Sequence, residues 1–236
     1  MDSQKHISSA FDQDLTNLND ALQQLGEMAC KQFEAAINGL AMQSDADLDD
    51  IINGDAALDA LEAEIHEKAV EVIAIRSPRA QDLRYVLVAL KAATILERIG
   101  DYARNIANRT KVIKVAGTEN IPSVNIGRMG QLAQEMVRDA MLSYRDRDSI
   151  LAEAVWRRDV EIDHMHTAFH KEVLASMTCN SNMVAAGVHL LFIAKNIERI
   201  GDYATGIAEQ VHFLVEGLLP DEDRPKADKT SKIVGT

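Results

Sequence analysis

Three features predict an all-α chain built as two tandem antiparallel three-helix bundles related by internal duplication. The hexapeptide Glu97-Arg98-Ile99-Gly100-Asp101-Tyr102 returns unchanged as Glu198-Arg199-Ile200-Gly201-Asp202-Tyr203, a repeat at domain scale. Apolar residues recur three and four positions apart through most of the chain. Only four prolines interrupt 236 residues that are 47% hydrophobic and 4% aromatic, a composition suited to long helices packed on one another. Helices of about 30 residues would be about 45 Å long, so the expected architecture is elongated.

The first helix is marked by Leu15, Leu18, Leu22, Leu25, Met28, Phe33, Ile37 and Leu40. Ser44-Asp45-Ala46-Asp47 breaks it and offers capping side chains to the next. The second helix is predicted from Leu48 to Ile75, with Ile51, Leu58, Leu61, Ile65, Val72 and Ile75 inward. Ser77-Pro78 ends it and is expected to start the third, serine as N-cap and proline at the first helical position. Leu83, Leu87, Leu90 and Thr94 then lead to the first hexapeptide, and the helix stops near Gly117. The first bundle thus spans residues 1–116, and Gly117-Thr118-Glu119-Asn120-Ile121-Pro122-Ser123 reads as a connector. The second bundle spans 124–219. Ile126, Met129, Leu132, Met136, Val137, Met141 and Tyr144 mark its first helix, and Arg145-Asp146-Arg147-Asp148 ends it. The fifth helix runs from Ile150 to about Met177, Thr178-Cys179-Asn180-Ser181-Asn182 makes the turn, and the sixth runs from Met183 to Leu219. Pro220 closes it, and the charged remainder, 220–236, is expected to be disordered.

The formal net charge of −12 argues against a sequence-independent grip on nucleic acid and against docking on anionic lipid. Cys30 and Cys179 match neither a zinc pattern nor a disulfide framework, and reduced thiols in a cytoplasmic protein are the simpler expectation. Met1-Asp2-Ser3-Gln4-Lys5-His6 is polar with no apolar core behind it. The longest apolar run, Met183 to Ala194, is interrupted by His189 and is too short to cross a bilayer. There is no glycine-rich phosphate loop, nucleophile elbow or zinc finger, so no enzymatic activity is expected.

The chemistry lies in paired acids. Each hexapeptide sets two acids four apart, Glu97 with Asp101 and Glu198 with Asp202, on one helical face. The preceding helix of each half carries another such pair, Asp55 with Asp59 and Asp159 with Asp163. Asp59 stands 18 residues before Ser77, and Glu97 stands 19 after Pro78. Around Asn180, Asp163 stands 17 before and Glu198 18 after. Residues equidistant from a hairpin turn sit side by side, so each half gathers four carboxylates. Such a group needs positive charge or protons. Arg98 and Arg199 can fold back onto it, some acids can stay protonated, or a hard cation such as Mg²⁺, Mn²⁺, Ca²⁺ or iron can bind. The duplication favours the cation. Asn105, His66, His166 and His170 lie close enough in sequence to complete a site.

At these residues the sequence resembles the PhoU family, regulators that accompany the phosphate-specific ABC transporter. The doubled Glu-Arg-Ile-Gly-Asp, the Asp-x-x-x-Asp pairs, Ile75-Arg76-Ser77-Pro78 and Asp82-Leu83-Arg84 carry the likeness. It implies tandem three-helix bundles, homodimers, and metal ions such as iron, zinc, magnesium or manganese held by Asp55, Asp59, Glu97, Asp101, Asp159, Asp163, Glu198 and Asp202. It further implies a negative regulator of the phosphate-starvation response that links the transporter's ATPase subunit to a membrane sensor histidine kinase. Gly206 departs from the family where many relatives carry a polar amide; Asn105 keeps the amide in the first half. The alternative is a di-metal carboxylate oxidoreductase of the ferritin-like kind, suggested by Asp163-x-x-His166, although Glu62 replaces that histidine in the first half. A third reading is a bundle whose acids have no ligand.

Overall fold

The computed structural model describes residues 2–42, 46–115, 123–219 and 226–233. Six helices follow in order: α1 Asp2–Met42, α2 Ala46–Arg76, α3 Gln81–Val115, α4 Ser123–Asp146, α5 Ser149–Cys179 and α6 Val184–Glu216. Short 3-10 turns lie at Ser181–Met183 and Thr230–Lys232. The expected connector falls outside the described residues except for Ser123, which already belongs to α4.

Helices α1, α2 and α3 pack mutually, as do α4, α5 and α6. The two bundles then join along α3–α6 and α1–α4, and one apolar core runs through both. At α1–α4, Gly130 lets α4 approach Ile37 so closely that a Cβ there would stand 2.8 Å from Ile37 Cδ1. At α3–α6, Tyr102 stacks on Tyr203 with ring centroids 5.8 Å apart, and Arg109 lies 4.0 Å over the Phe192 ring. The tyrosines that end the two hexapeptides therefore meet across the joint.

The α2–α3 turn differs from the expected cap. Ser77 and Ala80 adopt φ of 48° and 47°, and α3 begins at Gln81 rather than at Pro78. Ser77 N–H still donates to Ile73 O, which closes α2 (3.1 Å). The second hairpin is capped at α5 as expected of an aspartate: Asp148 accepts from Ile150 N and Leu151 N, both at 2.9 Å. Helix α6 ends at Gly217, whose φ of 81° gives a left-handed cap, before Pro220 is reached.

Helix α3 is phased differently from its leucine stripe. Leu87 is exposed and Thr94 lies at the surface, whereas Val86, Ala89, Ala92, Ala93, Leu96, Ile99, Ala103, Ile106 and Ala107 are fully buried. The reason is its central place: α3 touches α1, α2 and α6, and small side chains let three neighbours close on one helix. Ile75, expected inward, is 63% exposed at the end of α2. Gly100 and Gly201 answer to packing too. A Cβ at Gly201 would meet Ile162 Cδ1 at 2.7 Å, and one at Gly100 would meet both Leu58 Cδ atoms at 3.3 Å. Each glycine brings its helix against the preceding one, and in the first half this contact sets Asp55 near Asp101.

Residues 226–233 belong to the stretch 220–236 expected to be disordered, the rest of which lies outside the described residues. They lie against α5, where Ala227 N–H donates to Asp163 Oδ2 (2.6 Å) and Lys229 N–H to Thr167 Oγ1 (3.1 Å). Backbone amides, rather than apolar anchors, hold this stretch. Among the described residues, no helix is long and apolar enough to cross a membrane.

Candidate functional site

In the first half the acids meet across α2 and α3 as the hairpin register requires. The Arg104 guanidinium bridges them: Nη1 bonds Asp55 Oδ2 on α2 and Nη2 bonds Asp101 Oδ1 on α3 at 2.6 Å. Arg98 folds back onto the acids, one of the three outcomes the sequence allows, 3.5 Å from Asp101 Oδ2 and 3.7 Å from Glu97 Oε2. Asp55 is buried and Asp59, one turn on, is exposed. Burial and the neighbouring Asp101 charge push the Glu97 carboxyl up to about 7, with Arg98 opposing and Asp59 adding to the rise. Burial likewise raises Asp55 against the pull of Arg104. Beyond them Thr94 donates to Glu62 Oε1 (3.0 Å) and lies 3.2 Å from His66 Nε2. Asn105 is exposed.

The second half is drier. Asp159, Asp163 and Glu198 are buried, and Asp202 is half-buried. Lys195 Nζ lies 2.7 Å from Glu198 Oε2 and 3.5 Å from Asp228 Oδ2. Burial raises the Glu198 carboxyl, the Asp202 and Asp228 charges add to this, and Lys195 counters it. His166 is 2% exposed; its Nδ1 has no hydrogen-bond partner and stands 3.6 Å from Asp228 Oδ1. Burial lowers the His166 pKa, with Lys195 and His170 lowering it further against Asp228 and Asp163, so the neutral imidazole is favoured. His170 meets the His166 ring edge-on at 6.3 Å. Arg199 does not fold back: it donates to Tyr102 Oη in the other half (3.3 Å).

This architecture has known counterparts. The PhoU domain model matches residues 22–110 and 126–211, one stretch in each bundle. The chain belongs to the PhoU family. It is 38% identical to a phosphate-specific transport system accessory protein PhoU homolog of Xylella fastidiosa, over 97% of this chain and 94% of that one. A homolog of the same description from Caulobacter vibrioides is 37% identical, over 97% and 99%. Among solved structures, PhoU from Pseudomonas aeruginosa superposes with a TM-score of 0.86 at 28% identity, covering 88% of this chain and all of that one. The phosphate transport system regulatory protein PhoU from Streptococcus pneumoniae gives 0.82 at 26% identity, covering 90% and all.

Within this PhoU fold the two acid groups differ in how well they suit a metal ion. Among the described residues, three ligating atoms come within 4.8 Å of one another at a single place, from His166, Glu198 and Asp228. That donor set, a neutral imidazole with two carboxylates, suits a divalent ion. In the first half the donors are all oxygens, and the Arg104 fork spans Asp55 and Asp101, so a cation there must displace a guanidinium.

Arg104, Lys195 and Asp228 are absent from the residues singled out in the sequence. The first two were visible as cations three positions from an acid, at Asp101 and Glu198, a helical neighbour spacing. Asp228 carried no such signal, being one of several acids in a charged stretch without helical period.

Proposed function

We propose that this PhoU protein is a cytoplasmic, non-enzymatic, metal-binding regulatory adaptor of phosphate uptake and signalling. In this reading it restrains the phosphate-starvation response by linking the ATPase subunit of the phosphate ABC transporter to a membrane sensor histidine kinase, and it works as a homodimer. The observation that carries it is end-to-end likeness to relatives described as phosphate-specific transport system accessory proteins, both bundles included. The duplicated acid quartets support the metal. Asp55, Asp59, Glu97 and Asp101 would hold one ion, and Asp159, Asp163, Glu198 and Asp202 another. A bound divalent ion supplies the positive charge that lets clustered carboxylates ionise together. The residues around it fix the helical surface: α2 against α3 in one bundle and α5 against α6 in the other. A net charge of −12 suits protein partners rather than nucleic acid or lipid.

The test is a phosphate-regulon reporter in a strain lacking the gene. Deletion should derepress the reporter in phosphate-rich medium, and the wild-type gene should restore repression. Unchanged repression on deletion would overturn the regulatory assignment. Elemental analysis of protein loaded with iron, zinc or manganese and then dialysed tests the metal. Loss of retention when Asp55 and Asp101 are changed to Asn and Glu198 to Gln is the expected result.

A further inference from the structure

Residues 226–233 are held in an unusual way. The 3-10 turn Thr230–Lys232 buries no residue, so little apolar area keeps this stretch on the bundle. Its attachments are polar and converge on one place: Ala227 N–H on Asp163, Lys229 N–H on Thr167, and the Asp228 carboxylate facing His166 and Lys195. Thr230 N–H donates to Asp228 Oδ1 (2.8 Å) and turns that carboxylate inward. The carboxylates of Asp163, Glu198, Asp202 and Asp228 lie around this place, and Lys195 pairs with Glu198 and Asp228.

We propose that His166, Glu198 and Asp228 form a three-ligand site for a divalent transition-metal ion, which fastens residues 226–233 across α5 and α6. The inference rests on the reading that the second acid group takes a metal, and adds to it an imidazole donor and a ligand from outside the helices. His166 is the independent observation: a side chain 2% exposed, with Nδ1 aimed at the site and without a hydrogen-bond partner. At 3.6 Å the gap to Asp228 Oδ1 is too long for a hydrogen bond. The three ligating atoms lie within 4.8 Å of one another. In a tetrahedral site with ligands at about 2.1 Å they would stand about 3.4 Å apart, so closure asks for up to about 1.4 Å of approach, which Asp228, on a stretch without buried anchors, and the side-chain torsions of Glu198 and His166 can share. Lys195 bridges Glu198 and Asp228, and at 41% exposure its side chain can turn to water as a divalent ion replaces it. One nitrogen with two carboxylates favours zinc, iron(II) or cobalt(II) over calcium or magnesium. The first half has Glu62 at the position of His166 and Thr94 at the position of Lys195, so this donor set belongs to the second half alone.

The full-length chain, stripped of metal, is titrated with cobalt(II) and zinc. Cobalt(II) visible absorption reports a nitrogen ligand, and hydrogen exchange followed by mass spectrometry reports the amides of 226–233. Zinc should slow exchange of this stretch at least tenfold. Asp228→Asn should abolish that protection and weaken zinc binding at least tenfold with unchanged helical circular dichroism. Lys195→Gln should tighten zinc binding. Equal zinc affinity and equal protection in wild type and Asp228→Asn would overturn the proposal while leaving metal binding by the carboxylate quartet intact. Retention of no metal by the wild-type protein would overturn both. Protection of 226–233 without zinc, lost in Lys195→Gln and indifferent to added zinc, would make Lys195 the fastener and also overturn it.

Discussion

The joint between the bundles can be tested with two glycines three residues apart on α4. A Cβ at Gly127 would have no atom within 4 Å, whereas one at Gly130 would stand 2.8, 2.8 and 2.9 Å from Ile37 Cδ1, Cγ1 and Cγ2. Ordinary carbon contacts lie at about 3.5–4.0 Å, so the shortfall at Gly130 is about 0.6–1.2 Å. Isoleucine is branched at Cβ and both γ carbons are in the way, so a swing of its tip does not clear the clash. Helix α4 must move from α1. Replacing glycine by alanine in a helix gains about 0.8–1.0 kcal/mol at either position. Overpacking adds a cost of about 1–3 kcal/mol at Gly130 alone. Gly127→Ala should therefore stabilise by up to about 1 kcal/mol, and Gly130→Ala should lie about 1–3 kcal/mol below it. Urea unfolding at constant slope measures the gap directly. Ile37→Ala in the Gly130→Ala background should recover part of the loss, as expected of residues in contact. A gap under about 0.5 kcal/mol between the two alanine variants would refute the close α1–α4 approach.

Three further outcomes follow from local chemistry. Burial pushes the Cys30 thiol up to about 11, while Cys179 is exposed, so a thiol reagent at pH 8 should titrate one cysteine in the native protein and both in denaturant. Glu97, raised to about 7 from an ordinary value near 4.5, favours its protonated form in the folded state. Its contribution to metal-free stability is therefore full below about pH 4.5 and fades as pH rises through 7; Glu97→Gln should flatten that slope in denaturant titrations from pH 5 to 8. Arg104→Gln leaves the buried Asp55 without its guanidinium and should cost about 1–3 kcal/mol in chelator-treated protein, with part of the loss recovered by manganese, since the all-oxygen site then has no competing cation.

The fold was legible because hairpin register depends only on spacing. Asp55 and Asp101 were placed side by side by counting from Ser77-Pro78, and Arg104 joins them in the structure. The phase of α3 was not legible. Leucines mark a stripe well when a helix has one buried face, but α3 has three neighbours, and its alanines vanish into contacts that a hydrophobicity pattern weighs lightly. The α2–α3 turn was misread because Ser-Pro at a helix start is a strong local signal, while left-handed Ser77 and Ala80 are set by the way α2 and α3 must meet. Asp228 was out of reach for another reason. Its partners are side chains of α5 and α6, more than 30 residues away, and no period in the charged stretch points to them.

The duplication makes the differences between halves informative, because each position has an internal reference. Arg104 has Thr205 as its counterpart, and Thr205 turns its hydroxyl to the Asp202 carbonyl oxygen (2.7 Å) instead of to a carboxylate on the facing helix. Lys195 has Thr94 as its counterpart, which bonds Glu62. The first hairpin thus carries its own cation, a planar fork that contacts both helices and holds them with two directed bonds. The second relies on an ammonium at one end of the acid group and on a stretch of backbone from beyond α6. A fork that joins α2 to α3 stabilises one arrangement. A point charge shared between Glu198 and a loosely anchored Asp228 is far easier to exchange for another cation. Identical hexapeptides therefore sit beside a guanidinium fork in the first bundle and beside a shared ammonium in the second, so on the proposed metal reading a response to metal should begin at α5, α6 and residues 226–233.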